Sequence, residues 1–142
     1  MPIEYRIDRE QRRVLARSVG TLTDEDVFRY QYEVWSRPDV AGYDELMDMS
    51  DVGEIVVPSA TRIRELAQLS ADMDPRTGPT RFAIVAPSDL SFGLGKMFES
   101  FRDVMVHGTR QVGVFRTMED ALAFLRVGAG AAPSSEGGRG AR

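Results

Sequence analysis

Apolar and charged residues alternate from the third residue of the chain, Ile3, Tyr5 and Ile7 against Glu4, Arg6 and Asp8. A period of two sends successive side chains to opposite faces, so this segment predicts a strand with one wet face. Asp8-Arg9-Glu10-Gln11 is a polar turn, and Arg13 to Val19 predicts a second strand that Gly20 ends. The period then lengthens. Thr23, with Asp26 three residues on, has the spacing of a capping box. Behind it Val27, Tyr30 or Gln31, and Val34 share one helical face, with Phe28 and Trp35 alongside, and Pro38 closes the helix. A third strand is expected over Glu45 to Met49, a loop over Ser50 to Gly53, and a short extended piece over Glu54 to Val57. Pro58-Ser59 opens a second helix whose inward stripe is Ile63, Leu66, Ala67 and Met73.

Asp74 to Pro79 is rich in breakers and reads as a surface connection. Phe82 to Ala86 predicts the fourth strand, and Ser88 caps the helix that follows. In that helix Leu94, Met97, Phe98, Phe101 and Met105 are expected inward, with Lys96, Glu99, Arg102 and Asp103 outward. Val112 to Phe115 predicts the fifth strand. Thr117, with Asp120, caps a last helix carrying Met118, Ala121, Leu122 and Leu125 inward. After Val127 the chain reads GAGAAPSSEGGRGAR, too poor in apolar surface to offset its ordering entropy. The expected organisation is therefore one domain over 1–127 and a disordered tail over 128–142. The order β-β-α-β-α-β-α-β-α predicts an α/β domain with a mixed, mostly parallel five-stranded sheet and four helices.

This order, with the segments AIVAPSDLSFGLGKMFESF and VGVFRTMEDALAFL, resembles the SpoIIAA-like branch of the STAS fold from Met1 to about Val127. STAS domains of the anti-sigma antagonist type bind a partner kinase and are phosphorylated on a serine at a helix start after the third strand. The resemblance thus implies a regulatory module that acts through a protein partner, with Ser59 and Ser50 as candidate phosphorylation sites. The Asp-Ser-Ser-Gly-like signature of that type is absent; the equivalent stretch is Asp48-Met49-Ser50-Asp51-Val52-Gly53. The SpoIIAA-like branch is also similar in fold to the CRAL-TRIO lipid-binding domains. That similarity implies an alternative, a small apolar or lipid-like ligand held under mobile helices, with loose peripheral contact to a membrane. A homodimer is a further expectation.

Composition narrows these readings. The chain has no cysteine, which excludes disulfides, thiolate nucleophiles and zinc–thiolate sites and fits a cytoplasmic location. A net charge of −4 argues against nucleic acid, whose binders carry a basic stripe. Lys96 is the one lysine among 18 cationic residues, a bias read as codon usage in preference to a phosphate-binding surface. No apolar run reaches the roughly 20 residues needed to span a bilayer. The start MPIEYRID lacks the basic and apolar regions of a signal peptide.

Candidate chemistry is sparse. Asp44, Glu45, Asp48, Asp51 and Glu54 read as solvated strand ends and loop caps. A receiver-type phosphoacceptor would need a lysine after the fifth strand, where Arg116 stands. No metal site and no cofactor are expected. His107, the one histidine, has no evident nucleophile to serve, so an enzyme ranks below both binding readings. Ser50 lies between Asp48 and Asp51, where a phosphate meets like charge, whereas Ser59 at a helix start meets a favourable dipole. The candidate ligand-binding segment comprises Ser88, Phe92, Gly93, Leu94, Gly95 and Met97. Its two glycines each cost about 1 kcal/mol against alanine inside a helix, so each calls for a close approach of another element or of a ligand. Gly95-Lys96 lacks the spaced glycine and the following Ser or Thr of a P-loop. Trp35, Tyr32, Phe98 and Phe101 are expected in the core, and Phe92 at a pocket. The interaction reading predicts an exposed apolar patch near Ser50 to Ser59; the ligand reading predicts an enclosed apolar cavity beside Phe92 to Phe98.

Overall fold

Five strands, laid side by side in sequence order, make one sheet: β1 Ile3–Asp8, β2 Arg13–Leu22, β3 Asp44–Ile55, β4 Thr80–Val85 and β5 Arg110–Phe115. The computed structural model describes residues 2–74, 78–104 and 109–130. β1 and β2 pair antiparallel across a short turn, whereas β2–β3, β3–β4 and β4–β5 are parallel. Parallel neighbours need crossovers, and the helices supply them: α1 Asp24–Trp35, α2 Ala60–Asp72, α3 Asp89–Asp103 and, after β5, α4 Met118–Gly130. The α/β class, the element order and the mixed sheet are those expected from the sequence.

The sheet has two unequal faces. Val14 and Ala16 of β2, Met47 of β3, Phe82 and Ile84 of β4, and Val112 and Val114 of β5 pack under α1, α2 and α3 in the main core. The alternate positions Leu46, Ala83 and Val85 pack under α4 with Ala121 and Leu125. Four helix starts carry the hydroxyl caps read from the sequence. Thr23 and Asp26 complete both halves of a capping box. Ser59, Ser88 and Thr117 accept from the backbone N–H of Arg62, Ser91 and Asp120 at 3.1, 3.0 and 3.2 Å.

Several expectations are corrected. β2 does not end at Gly20, which adopts φ +68° inside the strand and marks a register shift before Thr21. The polar stretch Ser50 to Gly53 is not a loop. It belongs to a single β3, because the extended β2 pairs with it as far as Leu22 opposite Ile55. Both strands there run beyond the rest of the sheet, so they carry polar residues that read as turn. β4 runs Thr80–Val85 and β5 begins at Arg110, two residues before its apolar run. The buried face of α3 is rotated from the expected one: Ser91, Gly95, Phe98 and Arg102 point inward, Met97 is 37% exposed, and Arg102, expected outward, is 4% exposed. Tyr32, expected in the core, is exposed. Helix α4 continues to Gly130, past the expected boundary at Val127; residues 131–142 of the expected tail, together with His107 and Met105, lie outside the described residues.

Candidate ligand cavity

The rotation of α3 follows in part from a close contact at Gly95. A Cβ on Gly95 would stand 2.9 Å from Cγ1 of Val114, so glycine lets α3 settle close to β5. Nothing lies within 4 Å of the corresponding position on Gly93. With α3 seated on β5, and α1 and α2 covering β1 to β3, the helices leave a space over the middle of the sheet.

That space is a cavity of about 140 Å³. Its sheet wall is formed by Met47 and Met49 of β3 and Phe82 and Ile84 of β4; its roof includes Val27 of α1, Ile63 and Leu66 of α2, and Leu94 and Phe98 of α3. Phe82 and Phe98 meet edge to face with ring centroids 6.0 Å apart. The lining residues that also reach solvent lie where strands give way to helices: Asp24 after β2, and Val56, Pro58 and Arg62 after β3. The mouth therefore opens beyond the carboxyl ends of the strands, the usual ligand side of an open α/β sheet. Arg62 spans it, donating to Asp24 Oδ2 at 2.8 Å with its guanidinium 4.1 Å from the Phe28 ring centroid. This pair holds the Asp24 carboxyl below its usual range.

The inner end is polar. Glu45 faces the cavity from β3 at 3% exposure, and its Oε2 accepts from the Tyr30 hydroxyl at 2.8 Å. Trp35 Nε1 donates to the same hydroxyl at 3.4 Å, and Arg110 stacks over the Trp35 ring at 4.4 Å. Beyond them Asp74, expected in a surface connection, is an anchor. Its Oδ2 lies 2.6 Å from Arg102 Nη2 and accepts the backbone N–H groups of Thr109 and Arg110 at 2.7 and 2.9 Å. Arg102 also donates to Ser70 Oγ and to the Arg110 carbonyl. The cluster ties the end of α2 to α3 and β5.

Burial raises the Glu45 carboxyl above its ordinary 4.5, against the opposing pull of Arg110. A folded state that favours the protonated acid gains stability below the unfolded value and loses it as pH rises through the folded one. Chemical denaturation from pH 4 to 7 should show this fall in wild type and a smaller fall in Glu45→Gln. Equal slopes would show that Glu45 is hydrated in solution.

Of the candidate ligand-binding residues, Leu94 and Gly95 line the cavity. Ser88 caps α3 and also meets the Ser91 hydroxyl at 2.8 Å. Phe92 lies under Arg116, whose guanidinium is 4.2 Å from the ring centroid, and Gly93 and Met97 lie outside the lining as well. A cavity open at its mouth is therefore present, turned toward β3 and β4 by the rotation of α3, where the ligand reading expected an enclosed one beside Phe92 to Phe98. Ser50 is exposed on β3 with its N–H on Asp48 Oδ1, and Ser59 is exposed at the start of α2 beside the mouth. The expectation of solvated carboxylates is corrected for Glu45. Its register supplied the signal: Glu45, Met47 and Met49 alternate onto one face. Nothing in the sequence marks Asp74. Among the described residues no group of three or more His, Asp or Glu could hold a metal, and no helix is long and apolar enough to cross a membrane.

No protein-family model and no curated protein matches the chain. A crystal structure of an uncharacterized protein from Shewanella loihica PV-4, described as belonging to the DUF3478 family with a SpoIIAA-like fold, is similar at 21% identity and a TM-score of 0.54. The match covers 87% of this chain and 93% of that one. The chain has a SpoIIAA-like fold, as the order of its elements and its two longest motifs led us to expect.

Proposed function

We propose that the protein is a non-catalytic regulatory module that binds a small, mainly apolar molecule between its helices and its sheet. The observation that carries this reading is the cavity itself, about 140 Å³ and walled by Met47, Met49, Leu66, Phe82, Ile84 and Phe98. An apolar space of roughly 150 Å³ in another protein stays dry and takes up benzene, so this one suits a molecule built around one ring or a short branched chain. Leu66→Phe, which places a larger side chain in the roof, is the blocking variant. A saturating benzene-sized probe at about 100 times its Kd should stabilise wild type by about 2.7 kcal/mol. In thermal unfolding that is a rise of at least about 5 °C. Leu66→Phe should keep its own Tm and lose the rise; an unchanged wild-type Tm would remove the reading.

The mouth gives a second expectation. The Arg62–Asp24 pair is more than a third solvated on the arginine side, so Arg62→Ala should change stability by no more than about 1 kcal/mol. It should instead speed ligand exchange, measured by stopped-flow mixing, because it removes the side chain that bridges α1 and α2. Exchange rates equal to wild type would show that ligand enters elsewhere.

A docking role has its own supporting observation. Val56 and Val57, in the stretch where the interaction reading expects an exposed apolar patch, are 51% and 59% exposed, and Val56 also lines the cavity. A protein partner seated there would sense whether the cavity is filled. That partner should be retained by wild type and released by Val57→Ser, while probe binding stays intact. If a kinase regulates this face, phosphosite mapping should find Ser59 before Ser50, since Asp48 and Asp51 repel a phosphate on the latter.

A further inference from the structure

The walls of the cavity are apolar over most of their area, yet the inner end presents a carboxyl group. Burying a carboxylate is costly unless donors or charges offset it, and a carboxylate facing a cavity can take further donors from whatever fills it. Among the described residues the nearby arginines, Arg102 and Arg110, pair with Asp74, and the groups that act directly on Glu45 are the Tyr30 hydroxyl at 2.8 Å and the Trp35 indole N–H. A carboxylate offers about four acceptor positions. The hydroxyls that share the cavity wall are engaged elsewhere: Tyr30 donates to Glu45, Thr23 to Asp26 Oδ2 at 2.8 Å, Ser91 to the Ser88 carbonyl at 3.2 Å, and Ser18 to Met47 Sδ at 3.5 Å. The wall thus has acceptor capacity left at its inner end and its hydroxyl donors committed.

We propose that the natural ligand carries a hydroxyl at one end of its apolar body and that this hydroxyl donates to Glu45. This inference rests on the cavity being a binding site, and it names the class of molecule as a small apolar alcohol or phenol. Arg102 and Arg110, themselves paired with Asp74, already offset part of the Glu45 charge, so a neutral donor suffices to complete the site. The apolar body of the ligand then lies along Met47, Phe82 and Phe98 toward the mouth.

The test uses wild-type protein and two probes of nearly the same shape, p-cresol and p-xylene, titrated calorimetrically at pH 7. A wholly apolar cavity prefers p-xylene, because the hydroxyl of p-cresol must leave water for nothing. A hydrogen bond to the Glu45 carboxyl reverses that order, and p-cresol should bind about tenfold tighter. Tighter or equal binding of p-xylene would overturn the inference while leaving the cavity a binding site. Binding of neither probe would overturn both. Benzylamine binding tighter than p-cresol would contradict the neutral donor. As a second readout, the double variant Tyr30→Phe with Glu45→Leu removes acceptor and internal donor together. It should restore the preference for p-xylene, and a retained preference for p-cresol would contradict the role of Glu45.

Discussion

Asp74→Ala is expected to destabilise the protein by about 3–5 kcal/mol, the range for removing one partner of a buried ion pair. The side chains of Asp74, Arg102 and Arg110 are each no more than 4% exposed. Without the carboxylate, both guanidinium groups stay buried uncompensated, and the N–H groups of Thr109 and Arg110 lose their acceptor. Asp74→Asn keeps an acceptor oxygen and should cost less. Because Asp74 joins α2 to α3 and β5 behind the inner wall, the alanine variant should also weaken binding of an apolar probe. Urea denaturation showing a loss below about 1 kcal/mol would mean that solvent reaches this cluster and neutralises the change.

Phe98→Ala carries the second large effect. Phe98 is buried on α3, packs edge to face on Phe82 and forms part of the cavity roof. Emptying an aromatic core site costs about 3–5 kcal/mol. Here the lost volume adjoins a space that already exists, so two consequences belong together. Stability falls, and the enlarged cavity accepts a ligand with a second ring that wild type excludes. Equilibrium denaturation and calorimetric titration with naphthalene-sized probes would measure both. A destabilised variant that gains no larger ligand would show that the helices collapse into the vacated space.

Which parts of this architecture were legible in the sequence follows from where the physics is local. Thr23, Ser59, Ser88 and Thr117 cap their own helices within three residues, and each was readable. Strand and helix order came from periodicity alone. The strand limits failed where pairing outweighs local chemistry: Ser50 to Gly53 has the composition of a loop, yet a partner strand extends it as β3. The face of α3 failed for a related reason. Apolar weight favours Leu94, Met97 and Phe101, but helix orientation is set by the smallest residue, Gly95 against Val114, together with the ion pair of Arg102. Both are tertiary contacts with no local trace. Glu45 lies between these cases: it was read as a solvated strand end, although its alternation with Met47 and Met49 carried the signal for the inward face. Asp74 gave no sign at all, because its partners come from residues 28 and 36 positions away.

The most direct test of the account is the methyl NMR of the methionines under titration with p-xylene. Met47 and Met49 line the cavity, whereas Met118 packs on the opposite face of the sheet beneath α4. The account predicts saturable shifts of the Met47 and Met49 methyl signals, absent in Leu66→Phe, with Met118 unmoved in both. Unperturbed Met47 and Met49 signals at saturating probe, or equal shifts at all three methionines, would contradict it.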